Sequence, residues 1–429
     1  MVLRRSAHLF TCALALCLGS TAQAAGFYLQ EQSARGVGRA FSGEAADTGP
    51  ESLWWNPAAI AGGERSAYIG VAGIIPSGTV SDKGTIILRP GQAPASVGGE
   101  PVAHGPLQSG VLPSGAVALP LGDRFALGFA VTAPFDFTTQ YDAQSWARYS
   151  ALRTRLRTYD LQPSLAVTPV DHLRLGVALN AEYGDATLSN ALPNLSPLLP
   201  DGTQTLKGNG WNFGWSAGGQ LYFDRITVGL SYKSAIRHTL DGQVMVAGLL
   251  GPLAANNLTV TTDAGFKTPW QVILGGRLRA TNRVTLDLEA VRLGWSGFDA
   301  IRLGAPINAA LPQGYRDSWS FAGGLDYALD PRWTLRAGVQ YDETPTQDGQ
   351  RDARVPDSSR VNLGMGASFE ATKAFAVDVG AAYTIFDNAS IDRPTGAYLG
   401  TPAQTLVLTS GELTGARAVV LTVGGRFRF

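Results

Sequence analysis

The sequence predicts an all-β protein: an antiparallel transmembrane β-barrel of about 14 strands with a small amino-terminal hatch, or plug, inside its lumen. From residue 114 to the end, segments of about ten residues alternate apolar with small or polar side chains, which is the period of a strand with two unlike faces. Only 16% of the residues are charged and 52 of 429 are glycine, whereas an ordinary soluble domain has about 25% charged residues and about 7% glycine. After residue 24 there is no run of ~20 apolar residues, so a transmembrane helix is excluded and a barrel is favoured.

The first element is a predicted signal peptide over residues 1–24. Two arginines precede an apolar run over 9–18, and a small-x-small cleavage site ends at Ala24. Both cysteines, Cys12 and Cys17, lie in this segment, so we expect no disulfide in the mature chain. A lipidated Cys17 is the alternative, and the leucine before it disfavours that reading because a small residue is expected there.

The second element, residues 25–66, is the predicted hatch. It is rich in glycine and alanine and shows no sustained alternation. Within it, Pro50 at one end and Asn56-Pro57 at the other bound a short helical turn. A segment of this size cannot fold alone, so we expect it to lie within the barrel lumen.

The third element, residues 67–429, is the predicted barrel. In the stretch Trp333–Tyr341 the odd positions are mainly apolar, whereas the even positions include threonine, arginine and glutamine. The polar faces carry Gly, Ala, Ser, Thr and Asn rather than Lys and Glu, as expected for a packed lumen rather than a solvated surface. The predicted strands are 67–75, 114–120, 124–134, 155–168, 172–184, 210–223, 225–237, 257–279, 283–295, 316–328, 332–342, 360–370, 374–386 and 416–429.

The ends and links of these segments are also typical of an outer-membrane barrel. Many segments begin or end with Trp or Tyr, which prefer the membrane interface. Short links alternate with long ones near 185–209, 238–256, 296–315, 343–359 and 387–415. The last strand ends on Phe429, which resembles the signal read by the barrel-assembly machinery. We therefore expect a monomeric bacterial outer-membrane protein in contact with outer-membrane lipid and lipopolysaccharide.

Three other classes of protein are disfavoured. The 34 basic and 34 acidic residues balance, whereas nucleic-acid binding needs clustered positive charge. Only His104, His172 and His238 follow the signal, and none has catalytic or metal-ligand spacing; we expect no enzyme activity, metal or cofactor. A general diffusion porin remains an alternative, which the predicted hatch disfavours and which planar-bilayer conductance would distinguish.

The chain contains, in this order, the glycine-rich stretch 36–43, Asn56-Pro57-Ala58, Ala133-Pro134-Phe135 and Val355-Pro356-Asp357. Together these motifs resemble those of the FadL/TodX family of long-chain fatty-acid and hydrocarbon transporters. The resemblance covers essentially the whole mature chain. It implies a barrel of about 14 strands closed by an amino-terminal hatch. It also implies capture of a hydrophobic ligand among extracellular loops, passage to a site inside the barrel, and sideways release beside a kinked third strand.

The candidate residues for the hatch and lateral gate come from two segments. The apolar centre of the hatch is expected to face the lateral gap, or alternatively to pack the hatch into the barrel. In the third strand, a glycine and a proline flank the apolar stretch 129–133, where proline weakens the ladder; a plain strand end is the other possibility. The eight candidates are Leu53, Trp54, Trp55, Asn56, Pro57, Ala58, Gly128 and Pro134.

The candidate ligand-binding residues are Arg316, Phe27, Val244, Leu249 and Leu250. A buried carboxylate needs a cationic partner. Alternation around Trp319 puts Arg316 on the lumen face, and its position is basic in the family. The remaining lumen arginines are expected to pair with acidic neighbours. The fifth strand has no arginine where fatty-acid members have one, which leaves a neutral hydrocarbon open as the substrate.

Overall fold

The computed structural model describes residues 27–429, so the predicted signal peptide lies outside the described residues. Fourteen antiparallel strands form a closed barrel in which β1 pairs with both β2 and β14. Their bounds are β1 Ser66–Asp82, β2 Gly110–Leu121, β3 Phe125–Thr132 continued by Asp136–Gln140, β4 Arg153–Val170, β5 Leu173–Leu192, β6 Gly202–Tyr222, β7 Ile226–Lys233 continued by Arg237–Ala247, β8 Leu258–Lys267 continued by Gln271–Arg279, β9 Val284–Leu293, β10 Ser318–Ala328, β11 Trp333–Asp342, β12 Arg360–Glu370, β13 Phe375–Phe386 and β14 Gly411–Arg428.

The predicted alternation produces the two faces of the barrel wall. On β6, Trp211, Phe213 and Trp215 are exposed on the outside, whereas Asn212 and Ser216 are buried in the lumen. An aromatic and aliphatic outer face is stable only against lipid, because exposed apolar patches of this extent are rare on water-soluble monomers. The fold therefore confirms the predicted barrel class.

The strands on one side of the barrel are longer than predicted. β5, β6 and β7 continue through residues 185–192, 202–209 and 238–247, which the sequence analysis assigned to loops. The reason is that these extensions rise above the membrane, where outward positions such as Asp185 and Lys207 are polar and the apolar outer face that marks a membrane strand is lost. Since long connections lie on the extracellular side of such barrels, this end is the extracellular one.

The remaining elements are short. One α-helix spans Ala34–Gly38, and 3-10 helices span Glu44–Ala46, Pro50–Ser52, Pro57–Ile60, Trp146–Tyr149, Gly251–Asn256 and Trp295–Gly297. Extracellular connections contain the short strands Ile86–Leu88, Ala95–Ser96, Val102–His104, Ala300–Leu303, Ala309–Pro312, Ala389–Ile391, Thr395–Ala397 and Thr405–Leu408. None of the helices within residues 27–429 is both long and apolar enough to span a membrane.

The wall is interrupted at 133–135 of β3, as the proline in the predicted kink implies. Below the break β3 pairs with both β2 and β4; above it, Asp136–Gln140 pairs with β4 in the ladder and with Pro106–Gln108, which precede β2, through an isolated bridge between Leu107 and Thr139. Gly110–Ser114 of β2 pair with β1 on one edge and have no ladder partner among residues 27–429 on the edge that faces β3. The wall therefore has a weak seam between β2 and β3. In contrast, the breaks at 234–236 and 268–270 leave the register of β7 against β8 unchanged.

Candidate functional site

The segment Tyr28–Gln32 lies against the broken edge of β3. The backbone N–H of Leu29 donates to the carbonyl of Pro134 at 2.8 Å. The amide of Gln32 donates to the carbonyl of Ala133 at 3.0 Å and accepts from its N–H at 3.2 Å. Buried backbone groups must be paired, and here the amino-terminal segment pairs those that the break in β3 leaves free. This segment therefore closes the seam from inside, which the sequence analysis did not identify.

Glu31 makes this closure sensitive to pH. The side chain is buried, and its Oε2 has no hydrogen-bond partner among the described residues. Burial raises the pKa of Glu31 from 4.5 to about 7, with Arg360 opposing the shift and Asp342 adding to it. An acid whose pKa is raised by docking holds its proton there, so docking weakens as pH rises from about 4.5 to 7, by up to roughly 3 kcal/mol.

We predict that the segment at 27–32 is released more readily at pH 8 than at pH 5. Hydrogen exchange at the Leu29 amide should accelerate over this range by more than the intrinsic exchange rate accounts for. Glu31→Gln should abolish the excess, because an amide does not ionise. An excess that persists in Glu31→Gln would show that Glu31 is not its source.

The predicted gate residues divide into three groups in the structure. Leu53 packs with Ile60 against Gly128, where an added Cβ would lie 2.9 Å from Leu53 Cδ2 and 2.6 Å from Ile60 Cδ1. Trp54 stacks on Tyr28 with ring centroids 5.8 Å apart and lies beneath the Lys233 ammonium at 3.3 Å. Leu53 and Trp54 thus approach β3 and the segment Tyr28–Gln32 from inside the lumen.

The third group, Asn56-Pro57-Ala58, packs against β5 and β6 rather than at the seam. The Asn56 amide donates to the carbonyls of Ala45 at 2.7 Å and Gly219 at 3.2 Å, and its Oδ1 accepts from the Ala58 N–H at 3.0 Å. Asn56 is fully buried. These contacts anchor Asn56-Pro57-Ala58 to the barrel wall. This is the packing role that the sequence analysis left open as the alternative to a role at the lateral gap.

Asn56→Ala should therefore release residues 27–65 from the barrel wall without unfolding the barrel. It removes a helix cap and leaves buried carbonyls unpaired, a loss of about 2–4 kcal/mol. Limited proteolysis should cut the variant within residues 27–65, while the barrel keeps its heat-modifiable migration on gels. Asn388→Ala, in an exposed loop, is the matched control and should stay resistant. Equal resistance of the two variants would contradict the anchoring role.

Arginines in the lumen pair with carboxylates of residues 27–65 and of the barrel strands. Arg277 lies 2.8 Å from Asp47 and 2.7 Å from Asp326, and Arg426 lies 2.7 Å from Asp378. A buried cation of this kind needs such partners. The predicted structural pairing of lumen arginines is confirmed for these residues, which are therefore occupied and unsuited to hold a ligand.

Phe27 lies at the centre of a cluster of aromatic rings above the seam. Its ring centroid is 5.6 Å from that of Phe137, 4.8 Å from that of Trp295 and 5.2 Å from that of Phe298. Phe27 also forms the floor of an inner cavity of about 60 Å³, whose other lining residues include Leu156, Leu240, Phe266, Ile301 and Val355. The inner cavity is thus an apolar chamber closed below by the amino-terminal segment.

A larger outer cavity of about 1210 Å³ opens among the extracellular connections. The two cavities share Leu188, Leu206, Gln313 and Arg354 as lining residues. Of the predicted ligand residues, Leu249 lines the outer cavity. Its other lining residues include Leu192, Leu195, Val246, Leu253, Leu303, Leu311 and Tyr398.

Two other predicted ligand residues lie outside both linings. Val244 is on β7, where it packs with Leu206 and Leu303 at the junction of the cavities. Leu250 is 41% exposed at the extracellular surface. The structure therefore places Phe27 at the inner cavity, Leu249 at the outer cavity and Val244 beside the junction of the two, and leaves Leu250 apart.

The predicted lumen position of Arg316 is wrong. The strand begins at Ser318, so the alternation that places Arg316 inside does not extend to it. Arg316 is half exposed and pairs with Glu343 at 2.9 Å. It lines neither the outer nor the inner cavity.

Arg354 is the cation that sequence reasoning missed. It lines both cavities at their junction. One guanidinium nitrogen donates to Asn190 Oδ1 at 2.9 Å, while Nη1 is buried with no hydrogen-bond partner among the described residues. Burial lowers the pKa of Arg354, against the raising influence of Asp352. A desolvated guanidinium with a free N–H is complementary to a carboxylate, which it binds by charge-assisted hydrogen bonds.

The closed barrel, its apolar outer face and its internally sealed wall define a bacterial outer-membrane β-barrel with an internal apolar site. The profile of a family described as "Outer membrane protein transport protein (OMPP1/FadL/TodX)" matches residues 15–429, and the chain belongs to this family.

Curated relatives agree with this assignment. The chain is 27% identical over 410 residues to a "Long-chain fatty acid transport protein" of Escherichia coli O6:H1, covering 86% of this chain and 89% of that protein. It is 28% identical over 426 residues to "Outer membrane protein P1" of Haemophilus influenzae, covering 87% and 89%.

Solved structures share the fold. A Pseudomonas aeruginosa FadL homologue has a TM-score of 0.81 at 23% identity and covers 94% of this chain and 100% of its own. The Pseudomonas putida toluene transporter TodX has a TM-score of 0.65 at 14% identity, covering 95% and 100%.

Proposed function

We propose that this protein carries amphipathic carboxylates, of the long-chain fatty-acid class, across the outer membrane. The observation that carries the proposal is Arg354, a partly buried residue whose Nη1 is buried with no hydrogen-bond partner among the described residues, at the junction of two apolar cavities. An alkyl chain would lie along leucine and phenylalanine side chains, gaining roughly 25 cal/mol for each Å² removed from water. A carboxylate at its end would satisfy Arg354. The name of the Escherichia coli relative supports the same class.

The proposed route runs from the outer cavity to the inner cavity and then sideways. A ligand enters among the extracellular connections, passes Arg354 and reaches Phe27. Displacement of Tyr28–Gln32, which acts as the hatch at the seam, then opens the wall at 133–135 towards lipid. The hydrogen bonds of Leu29 and Gln32 to β3 support this step, because they tie the floor of the inner cavity directly to the seam. An apolar ligand gains most by leaving into the bilayer.

A neutral aromatic hydrocarbon is the second candidate substrate. The ring cluster around Phe27 supports it, since aromatic pairs favour edge and offset contacts with a further ring. The toluene transporter among the solved structures has the same fold. Such a ligand would use the inner cavity and leave Arg354 unpaired, which is why the carboxylate is preferred.

We propose further that the protein acts as a monomer embedded in outer-membrane lipid and lipopolysaccharide, after insertion by the barrel-assembly machinery. The continuous apolar outer face supports a barrel that meets lipid on all sides. The amino-terminal segment in the lumen argues against a general diffusion porin. In planar bilayers the protein should pass little ion current; steady porin-like conductance would reject the closed hatch.

The substrate class is tested by what the protein retains. Full-length protein extracted gently from outer membranes should yield long-chain fatty acid on solvent extraction and mass spectrometry. Competition then distinguishes the two candidates: oleate should displace a bound fluorescent fatty acid, while methyl oleate and toluene should displace it only weakly. Equal displacement by oleate and methyl oleate would reject the carboxylate and favour the neutral hydrocarbon.

A further inference from the structure

Strand β4 carries a row of three arginines on its outer face. The sequence Arg153-Thr154-Arg155-Leu156-Arg157 alternates arginine with buried residues, and Leu156 lines the inner cavity. Alternation therefore places the arginines on the outer face, because successive side chains of a strand point to opposite faces, and Arg155 also borders the inner cavity. Arg153 is exposed, whereas the side chains of Arg155 and Arg157 are 30% and 19% exposed and the Nε atom of each is buried.

The row lies immediately above the aromatic edge of the membrane-facing wall. Two residues below Arg157, Tyr159 faces outward opposite Tyr183 of β5, and the Tyr183 ring lies 5.3 Å from that of Trp211 on β6. Tyrosine and tryptophan on the lipid face mark the membrane interface. Two residues of a tilted strand rise about 5 Å, so Arg157 and Arg155 lie at the depth of lipid headgroups.

This patch has net positive charge. Lys207 of β6 faces outward in the same cross-strand line as Thr187 of β5, and Thr187 pairs in turn with Arg155. Arg155 pairs with Asp185, and Arg157 lies 3.4 Å from Asp136. Four basic groups against these two carboxylates and the exposed Asp241 of β7, which is diagonal to Lys207 across the strand pair, leave 4 − 3 = +1. Arg153 and Lys207 have no ion-pair partner among residues 27–429.

We propose that this patch, Arg153, Arg155, Arg157 and Lys207, binds the headgroup of a diphosphorylated glycolipid of the outer leaflet. Arg153 and Arg157 are four positions apart on the strand, a distance of about 13 Å. This span is wider than one phosphate and is suited to binding two. The exposed apolar wall below, including Leu179 and Phe213, would contact the acyl chains. A soluble anion would use the charges alone, whereas a lipid uses both surfaces.

The patch also adjoins the seam in the wall. Asp136, the partner of Arg157, is the first residue of β3 after the break, and Arg153 pairs in register with Gln140 at the end of β3. A glycolipid held here would stand at the outer side of the opening that the amino-terminal segment closes from within. The lipid site depends on the outer-membrane location and not on which ligand is carried.

The test uses full-length protein in detergent and a double variant, Arg153→Gln/Lys207→Gln, which leaves both ion pairs of the patch intact. Binding of diphosphoryl lipid A, measured by native mass spectrometry, should weaken about 10- to 30-fold, since each basic residue near an anionic lipid surface contributes about 1 kcal/mol. Arg153→Lys/Lys207→Arg should restore binding. The matched control is Arg417→Gln, an isolated outward arginine of β14, which should change affinity less than twofold.

Three outcomes would overturn the proposal. They are unchanged binding in the double variant, equal loss in Arg417→Gln, and equal binding of lipid A that lacks both phosphates. Displacement of the lipid by millimolar inorganic phosphate would instead identify a soluble-anion site and reject the lipid as its occupant. Oleate binding by the double variant should be unchanged, so failure of this proposal and failure of the proposed transport function are distinguishable.

Discussion

Replacement of Arg354 by glutamine should weaken oleate binding about 10- to 100-fold and leave toluene binding nearly unchanged, because a hydrogen bond to a charged group is worth about 1.5–3 kcal/mol and each 1.4 kcal/mol is tenfold in affinity. Glutamine keeps a polar side chain able to donate to Asn190, which Arg354 contacts at 2.9 Å. It removes only the charge and the free N–H. The loss of affinity should therefore be seen for a ligand that has a carboxylate and not for one that has only a hydrocarbon part.

Three controls identify the origin of this effect. Arg354→Lys should recover part of the affinity, because lysine keeps the charge without the planar fork of donors. Arg316→Ala should change oleate affinity less than twofold, since Arg316 is half exposed and already paired with Glu343. Methyl oleate should bind the wild type about as weakly as oleate binds Arg354→Gln. Wild-type oleate affinity in Arg354→Gln would rule out Arg354 as the ligand cation.

The barrel could be predicted from the sequence because a lipid-facing wall imposes a strict period of two. The positions of β9 to β13 follow from this pattern within a few residues. The pattern fails above the membrane, where the outward face meets water and the inward face borders the two apolar cavities. For this reason Val244 was predicted to lie in a loop but belongs to β7.

The candidate site was less predictable because its parts come from irregular segments. Arg354 lies in the connection between β11 and β12, where no periodicity indicates which way a side chain points. The only sequence signal near it was the family-like Val355-Pro356-Asp357. Gln32 seals the wall through its side-chain amide, a role that composition cannot reveal. Leu53 and Asn56, close in sequence, contact different strands of the wall, β3 and β6.

A disulfide between the amino-terminal segment and β3 should abolish uptake if the segment must move. Tyr28 and Phe135 form an isolated antiparallel bridge, flanked by the hydrogen bond from Leu29 to Pro134. Directly opposed residues of this kind have Cα atoms about 4.5–5.5 Å apart, within the range that a disulfide spans. Residues 25–429 contain no cysteine, so Tyr28→Cys/Phe135→Cys introduces one unambiguous pair.

The oxidised double variant should take up oleate at least tenfold more slowly than the reduced one, because a covalent bond replaces hydrogen bonds worth about 1 kcal/mol each. Reductant should restore uptake, which separates locking from the loss of two aromatic side chains. Each single-cysteine variant should be insensitive to oxidant. In the proposed route, binding at Arg354 precedes the blocked step, so oleate affinity should persist while transport stops. If the oxidised variant transported at the reduced rate, the ligand would have to leave by a path that does not displace Tyr28–Gln32.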